Sequence, residues 1–260
     1  MKASDIIKLM NEWASPQLID KWDNTGFQLG NDEKEVKKIL LSLDLDEKVY
    51  KKAVAEDFEM IITHHPVMFR PVSSITTKTS KEKLLFNLIQ KDIVVYSAHT
   101  NLDRAKNGVN DELARLLELK NVQVLESVDE DELGYGKVGD IEEQVLKDYL
   151  DLVKRKLDIE HLIVYGELNR LVKRVAVCGG SGSDFILDAY KKGADIYITG
   201  DIKYHDAQYG TELGLTIVDA GHYHTEKVIL PVVKEYLEKN TEGSIYVEVW
   251  REPSPSYCVY

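Results

Sequence analysis

Histidine and carboxylate side chains gather in three short segments of this 260-residue chain. Five of its seven histidines lie in THHP at 63–66, SAHTNLD at 97–103 and GHYHTE at 221–226. Surface histidines without a common role would be scattered along the chain. Imidazole and carboxylate donors without thiolate suit zinc, manganese or iron. The three segments therefore predict a metal site.

The spacing of these donors predicts two neighbouring ions. His64 and His65 follow a predicted strand and precede Pro66, which cannot continue a sheet ladder, so the two imidazoles can diverge toward different ions. His222 and Glu226 stand at i and i+4 at the start of a predicted helix and therefore share one face. The two predicted ligand sets share one carboxylate: His65, Asp103 and Glu226 for one ion, and His64, His222 and Glu226 for the other. Each ion keeps an open position, which is typical of a catalytic metal site.

Other interpretations of the histidines stay open. A histidine after a strand is more often a hydrogen-bonded structural residue, as we expect for His161. His224 points elsewhere on the helix than the two ligands beside it, so we expect it to line the site at most. His99 either binds a metal or holds Asp103 in place.

Three further segments carry polar side chains or glycines beside predicted strands. GDIKYHDA at 200–207 includes His205, a candidate proton donor or acceptor, although helix capping explains its polar residues equally well. CGGSGS at 178–183 predicts either a phosphate-binding loop or a tight turn from strand to helix. WDNTGFQLG at 22–30 is rich in turn formers, and we interpret it as structural.

Short apolar runs alternate with amphipathic stretches of helical period along the chain. The predicted strands are 39–43, 60–63, 93–96, 122–125, 162–165, 175–178, 196–199, 215–218 and 245–250. The predicted helices are 47–56, 81–91, 109–117, 141–157, 185–192 and 225–239. This alternation predicts an α/β fold with parallel or mixed sheets, in which ligands gather beyond the carboxyl ends of the strands.

A weak internal repeat predicts two related α/β halves. VKKILLSL at 36–43 and FEMIIT at 58–63 reappear as VKRVAVCG at 172–179 and ADIYIT at 194–199, at a constant offset of 136 residues. Such a period indicates a duplicated unit, with chance similarity as the alternative. Two halves facing one another would bring the donor segments to a shared metal-binding cleft.

The division between the halves is predicted from composition. No linker rich in proline, glycine or serine divides the chain, and the acidic run at 129–132 is its only abrupt change. We therefore expect a first α/β lobe at 1–128 and a second at 129–260.

Composition excludes several classes of protein. The chain has 45 acidic and 33 basic side chains and a net charge of -12, which argues against broad binding to nucleic acid or to an anionic membrane. Its two cysteines, Cys178 and Cys258, cannot build a disulfide scaffold or a thiolate zinc site. No stretch reaches the roughly 20 apolar residues of a membrane span, and the N-terminus lacks the apolar run of a signal peptide. We expect a soluble, cytoplasmic protein.

Seven motifs, in the order in which they occur, resemble those of the NIF-three-like family, some members of which are called GTP cyclohydrolase I type 2. They are WDNTGFQLG, ITHHPVMF, SAHTNLD, GYGKVGDI, VAVCGGSGSDFI, YITGDIKYHDA and DAGHYHTE. The resemblance covers essentially the whole chain. It implies a two-lobed α/β fold of related halves, a dinuclear metal centre and a ring-shaped homohexamer. It also assigns metal binding to the five ligands reached from spacing: His64, His65, Asp103, His222 and the bridging Glu226.

Some longer relatives in this family carry an additional domain in the middle of the chain. Here GYGKVGDI at 134–141 runs on to VAVCGGSGSDFI at 175–186, with room for about one strand and one helix between them. The inserted domain is therefore absent from this chain.

These observations favour a metal-dependent hydrolase of the GTP cyclohydrolase type that acts on GTP or a related nucleotide through metal-activated water. His205 or His99 would move the protons. The alternative is a protein that stores or delivers cations without turnover, since open coordination positions and an acidic surface fit both functions. A scaffold for partner proteins would explain neither the donors nor their open positions.

Overall fold

Two mixed sheets with helices packed on them form the fold, which confirms the predicted α/β class. The computed structural model describes residues 1–127 and 133–254. The strands are β1 Gly26–Leu29, β2 Lys38–Ser42, β3 Met60–Thr63, β4 Val94–Ser97, β5 Lys120–Ser127, β6 Gly134–Val145, β7 Ile163–Tyr165, β8 Leu171–Ser181, β9 Ile196–Gly200, β10 Thr216–Asp219 and β11 Tyr246–Val249. The helices are α1 Ala3–Trp13, α2 Glu47–Ala55, α3 Ser80–Gln90, α4 Thr100–Arg104, α5 Val109–Leu116, α6 Leu146–Leu157, α7 Ile186–Lys191, α8 Tyr204–Glu212, α9 His222–Glu226 and α10 Ile229–Asn240.

The chain divides into two compact units. The first combines Met1–Leu102 with Leu230–Tyr260, and the second is Asp103–Ile229. The C-terminal part belongs to the first unit because β11 pairs in parallel with β2. The units therefore have other bounds than the predicted lobes at 1–128 and 129–260. The acidic run chosen as the boundary lies outside the described residues.

The first unit is built on a five-stranded sheet in the order β1-β4-β3-β2-β11. Its strands are parallel except β1, which runs antiparallel to β4 at the edge. Leu40, Ile61 and Val95 on the three inner strands are buried against Leu85 and Leu88 of α3. Burial of such apolar runs on both faces is what favours a parallel sheet covered by helices.

The second unit is built on a six-stranded sheet in the order β5-β6-β8-β9-β10-β7. Here β8, β9 and β10 run parallel, and the other pairs are antiparallel. The apolar stripe of α6, with Leu150 and Val153, packs on Val175 and Ile196 of the sheet. The helix is amphipathic, so its charged residues remain on the opposite face.

The two units contain equivalent hydrogen bonds whose residues are separated by the same 136-residue offset as the sequence repeat. In the first unit the Glu59 carboxylate accepts from the backbone N–H groups of residues 37–38, at 3.1 and 2.8 Å. In the second unit Asp195 accepts in the same way from residues 173–174, both at 2.9 Å. Strands β2, β3 and β4 of the first unit and β8, β9 and β10 of the second run parallel, and an antiparallel strand lies beside the third strand of each set. The two units therefore share one substructure, as the repeat predicts.

Each of the nine predicted strands overlaps an observed strand, whereas two of the predicted helices differ. The helix predicted over 141–157 begins only at Leu146, because the preceding residues extend β6, which pairs with β8. The helix predicted over 225–239 is divided into α9 and α10. None of the helices in the described residues is long and apolar enough to cross a membrane.

Candidate functional site

Three histidines of the first unit lie together beyond the carboxyl ends of β3 and β4. The ring centroids of His64, His65 and His99 are 5.0, 5.2 and 5.5 Å apart, and one ring nitrogen from each lies within 4.8 Å of the others. We call these three residues the imidazole cluster. Since Thr63 and Ser97 end adjacent parallel strands in register, the strand pairing itself brings THHP and SAHTNLD together.

Each ring of the imidazole cluster has its Nδ1 atom beside an oxygen acceptor. The acceptors, at 2.8 to 3.0 Å, are the Ala98 carbonyl for His64, the Asp44 carboxylate for His65 and the Asp23 carboxylate for His99. Carbonyl and carboxylate oxygens only accept hydrogen bonds, so Nδ1 carries the proton and donates it. In the neutral ring Nε2 then carries the lone pair that binds a metal ion.

The side chain of Asp23, which orients His99, is fully buried. Burial by itself raises the pKa of this carboxyl, but hydrogen bonds from His99, Thr100 and Thr25 outweigh it and hold the pKa well below its usual range. Asp23 is therefore a fixed negative charge behind the imidazole at neutral pH. The segment 22–30, which the sequence indicates to be structural, thus has a role at the candidate site.

In the second unit, His222 and Glu226 are the first and last residues of α9 and face the same way, as their spacing predicts. His222 Nε2 lies 3.0 Å from Glu226 Oε2, and His222 Nδ1 lies 2.7 Å from Asp201 Oδ2. We call His222 and Glu226 the α9 pair. Glu226 is buried, and two carboxylates around one imidazole concentrate negative charge that a cation would neutralise.

The backbone at Gly180 approaches the α9 pair closely. Gly180 has a φ of +64°, and a Cβ atom at this position would lie 2.1 Å from Glu226 Oε1. Its N–H group donates to Thr225 Oγ1 at 2.9 Å. A glycine of CGGSGS is thus required to leave room for the Glu226 carboxylate. Phosphate binding by the same segment stays a prediction.

Asp103, the remaining predicted ligand, lies on α4 at the start of the second unit. Its side chain is largely buried. Asn110 donates to the Asp103 carbonyl at 2.9 Å and accepts from the Gly179 N–H at 3.0 Å. These two hydrogen bonds tie the end of α4 to β8 and so fix the position of Asp103 within its unit.

His205 and His224 lie outside both donor groups. His205 is exposed on α8, where its Nδ1 is 3.5 Å from Gln208 Oε1 and its ring meets Tyr204 edge-on. Its proton-transfer role stays a prediction. His224 Nδ1 lies 3.4 Å from the Leu157 carbonyl oxygen, so this ring points toward the end of α6.

The sequence pattern does not identify the three carboxylates that hold imidazole rings, Asp23, Asp44 and Asp201. Two of them carry a signal that a sequence can show, because Asp44 follows β2 and Asp201 follows β9 at the carboxyl ends of strands. Asp23 precedes β1, so no such signal marks it.

We expect Asp201→Ala to lower the affinity of the protein for zinc about 10- to 100-fold, because His222 loses the acceptor that orients its ring. Competition with a chromogenic chelator measures this affinity. Asp188→Ala, which removes a partly exposed aspartate on α7, is the matched control and should bind zinc like the parent protein. Equal affinities for the two variants would contradict the orienting role.

Comparison with known proteins places the whole chain in one family. Residues 1–255 match the family model Duf34/NIF3 (NGG1p interacting factor 3). A Clostridium perfringens protein called GTP cyclohydrolase 1 type 2 homolog is 39% identical over 254 residues, which cover 97% of each chain. A Bacillus cereus protein related to NIF3 superposes with a TM-score of 0.92 at 27% identity, over 100% of this chain and 99% of that one. Reduced HcgD from Methanocaldococcus jannaschii superposes with a TM-score of 0.84 at 35% identity, over 96% and 98%. The resemblance seen in the motifs is confirmed, and the chain belongs to the DUF34/NIF3 family.

Proposed function

We propose that this protein is a dinuclear metal-dependent hydrolase of the GTP cyclohydrolase I type 2 kind, acting on GTP or a related nucleotide. One observation carries the metal-binding part. The three histidines of the proposed ligand set, His64, His65 and His222, each have Nδ1 beside an oxygen acceptor, which is the arrangement of metal-binding histidines. The name of the Clostridium perfringens relative supports the substrate class.

The ligands in this proposal are His64, His65, Asp103, His222 and Glu226, with Glu226 shared by the two ions. Imidazole and carboxylate donors fit zinc, manganese or iron. The absence of a side chain at Gly180 leaves room for the Glu226 carboxylate, which is the shared ligand in this proposal. The ligand set takes residues from both units. The family to which the chain belongs and the orientations of the imidazole rings within each unit support this set.

Ions held by these donors would acidify bound water and polarise a substrate oxygen. His99 is the residue that we assign to proton transfer. Its Nδ1 proton is held by Asp23, so Nε2 is the atom that takes a proton. The ionised Asp23 carboxylate then stabilises the imidazolium. His205, exposed on α8, is the second candidate, since it can exchange protons with solvent.

A homohexamer is a further part of the proposal, implied by the resemblance to the family. Closed symmetric assemblies are the usual form of soluble homo-oligomers.

We expect metal-loaded protein to turn over GTP or another nucleotide many times, with products followed by mass spectrometry. His99→Asn should lower the rate about 100-fold or more and leave the metal content unchanged. His161→Asn, at an exposed histidine, is the control and should keep the full rate.

Two outcomes would contradict this assignment. Loss of metal from His99→Asn would make His99 a ligand instead of a proton carrier. The second outcome is that the protein loaded with zinc, manganese or iron turns over no nucleotide and instead transfers its metal stoichiometrically to an acceptor protein. That result would favour the storage or delivery function, which uses the same donors.

A further inference from the structure

We infer that Trp22 and Phe69 form a stacking surface for the purine base of a nucleotide, beside the imidazole cluster. We call these two residues the aromatic platform. The inference rests on the proposed function in one respect: it names the part of the substrate that the protein holds next to its candidate proton carrier.

Both residues of the aromatic platform are at least half exposed. Trp22 is 60% and Phe69 50% exposed, whereas large aromatic side chains are mostly buried. Their ring centroids are 5.8 Å apart with an angle of 55° between the planes. At this distance and angle the two rings do not stack face to face, so neither ring covers the whole face of the other. An open aromatic face is the surface on which a planar base stacks.

Hydrogen bonds hold the two segments that carry these rings in place. The Asn24 side chain donates to the Met68 carbonyl at 2.6 Å, and Gln28 Oε1 accepts from the Met68 N–H at 3.3 Å. Both backbone groups of Met68, the neighbour of Phe69, are therefore tied to the segment that follows Trp22. A surface organised before binding loses less conformational entropy when a ligand arrives.

The aromatic platform directly borders the imidazole cluster. His99 meets Trp22 edge to face, with centroids 6.0 Å apart and an angle of 80°, and it meets Phe69 at 6.3 Å and 71°. His99 is in turn 5.2 Å from His64 and 5.5 Å from His65. A base stacked on the aromatic platform would therefore lie next to the imidazoles.

Charged residues of both signs flank the aromatic platform. Asp20 and Asp23 stand close to Trp22 in the sequence, and the Asp23 side chain is buried against His99, whereas Lys21 and Arg70 are exposed cations. Phosphate groups are attracted to such cations. A second copy of this chain is the other possible occupant, and the test below distinguishes it from a nucleotide.

The test compares the binding of guanosine 5′-monophosphate and of ribose 5-phosphate by calorimetry, on metal-loaded protein. Trp22→Leu should weaken binding of the guanosine nucleotide about 10- to 100-fold. Binding of ribose 5-phosphate, which lacks the base, and the metal content should not change. Trp22→Tyr keeps an aromatic face and should retain most of the affinity. Phe27→Leu is the matched control, since Phe27 is a 45% exposed aromatic residue of β1.

Three results would overturn the inference. In the first, Trp22→Leu binds the guanosine nucleotide as tightly as the parent protein does. In the second, Trp22→Leu loses equal affinity for the guanosine nucleotide and for ribose 5-phosphate. In the third, the parent protein does not bind the nucleotide. A Trp22→Leu variant that dissociates an oligomer without losing nucleotide affinity would assign the aromatic platform to a second copy and also overturn it.

The proposed function fails or succeeds separately from this test. Loss of base-dependent affinity in a protein that hydrolyses no nucleotide would support the aromatic platform and contradict the hydrolase. If the parent protein turns over GTP and Trp22→Leu binds the guanosine nucleotide as tightly as the parent protein does, the hydrolase would be supported and the aromatic platform contradicted.

Discussion

Replacing Glu226 by alanine should deprive the protein of both metal ions. In the proposed ligand set Glu226 is the shared donor, so its loss weakens both positions, and we expect the apparent affinity to fall at least about 100-fold. The carboxylate is buried and 3.0 Å from His222 Nε2, so no water-exposed acid can take its place without rearrangement. Metal per chain is measured by mass spectrometry after dialysis against metal-free buffer.

Two other variants make the Glu226 result specific. His65→Ala should mainly empty one of the two positions, since this histidine belongs to one ligand set only. Glu212→Ala removes an exposed acid at the end of α8 and should leave both ions in place. A Glu226→Ala protein that keeps one or both ions would refute the shared-ligand assignment.

Gly180→Ala should also weaken metal binding, although it removes no donor atom. The new Cβ would lie 2.1 Å from Glu226 Oε1 in a backbone with a φ of +64°, so the carboxylate or the strand must move. We expect an affinity loss of at least about tenfold. Left-handed strain and overpacking together should lower the free energy of unfolding by about 2 to 4 kcal/mol. Chelator competition and urea unfolding measure the two effects.

Gly193→Ala separates the steric effect from the backbone effect. Gly193 has a φ of +72°, yet nothing lies within 4 Å of the position of its Cβ. In this variant the free energy of unfolding should fall only by the left-handed strain of about 1 to 2 kcal/mol. The variant should bind metal like the parent protein. If both glycine variants bound metal equally well, close packing of Gly180 on Glu226 would have no role in the site.

Local patterns in the sequence predict the features that depend on neighbouring residues. The i, i+4 spacing of His222 and Glu226 determines that they share a face, because the helix period is a local property. The apolar runs that become β2, β3 and β4 are equally local, since a strand buried on both faces must be apolar along its whole length. The histidines and carboxylates gathered in the three donor segments likewise predict a metal site from the sequence alone.

The assignment of β6 and of the unit bounds shows where local patterns fail. Ile141 and Val145 stand at the helix-like spacing i and i+4 with polar residues between them, yet this stretch extends β6, and Gln144 and Val145 pair with β8. The C-terminal strand β11 joins the first unit by pairing with β2, far earlier in the chain. Neither pairing leaves a trace in the local sequence.

The sequence by itself determined which residue types this protein brings to its candidate metal site, and only the tertiary structure decided which side chains orient them. Asp23 reaches His99 across 76 positions of sequence, and Asn24 reaches the Met68 carbonyl across 44. Such contacts arise when the sheet has formed and the loops at its strand ends meet, so no pattern of period two or 3.6 encodes them. The orientation of the imidazoles and the exposed faces of Trp22 and Phe69 are therefore properties of the fold.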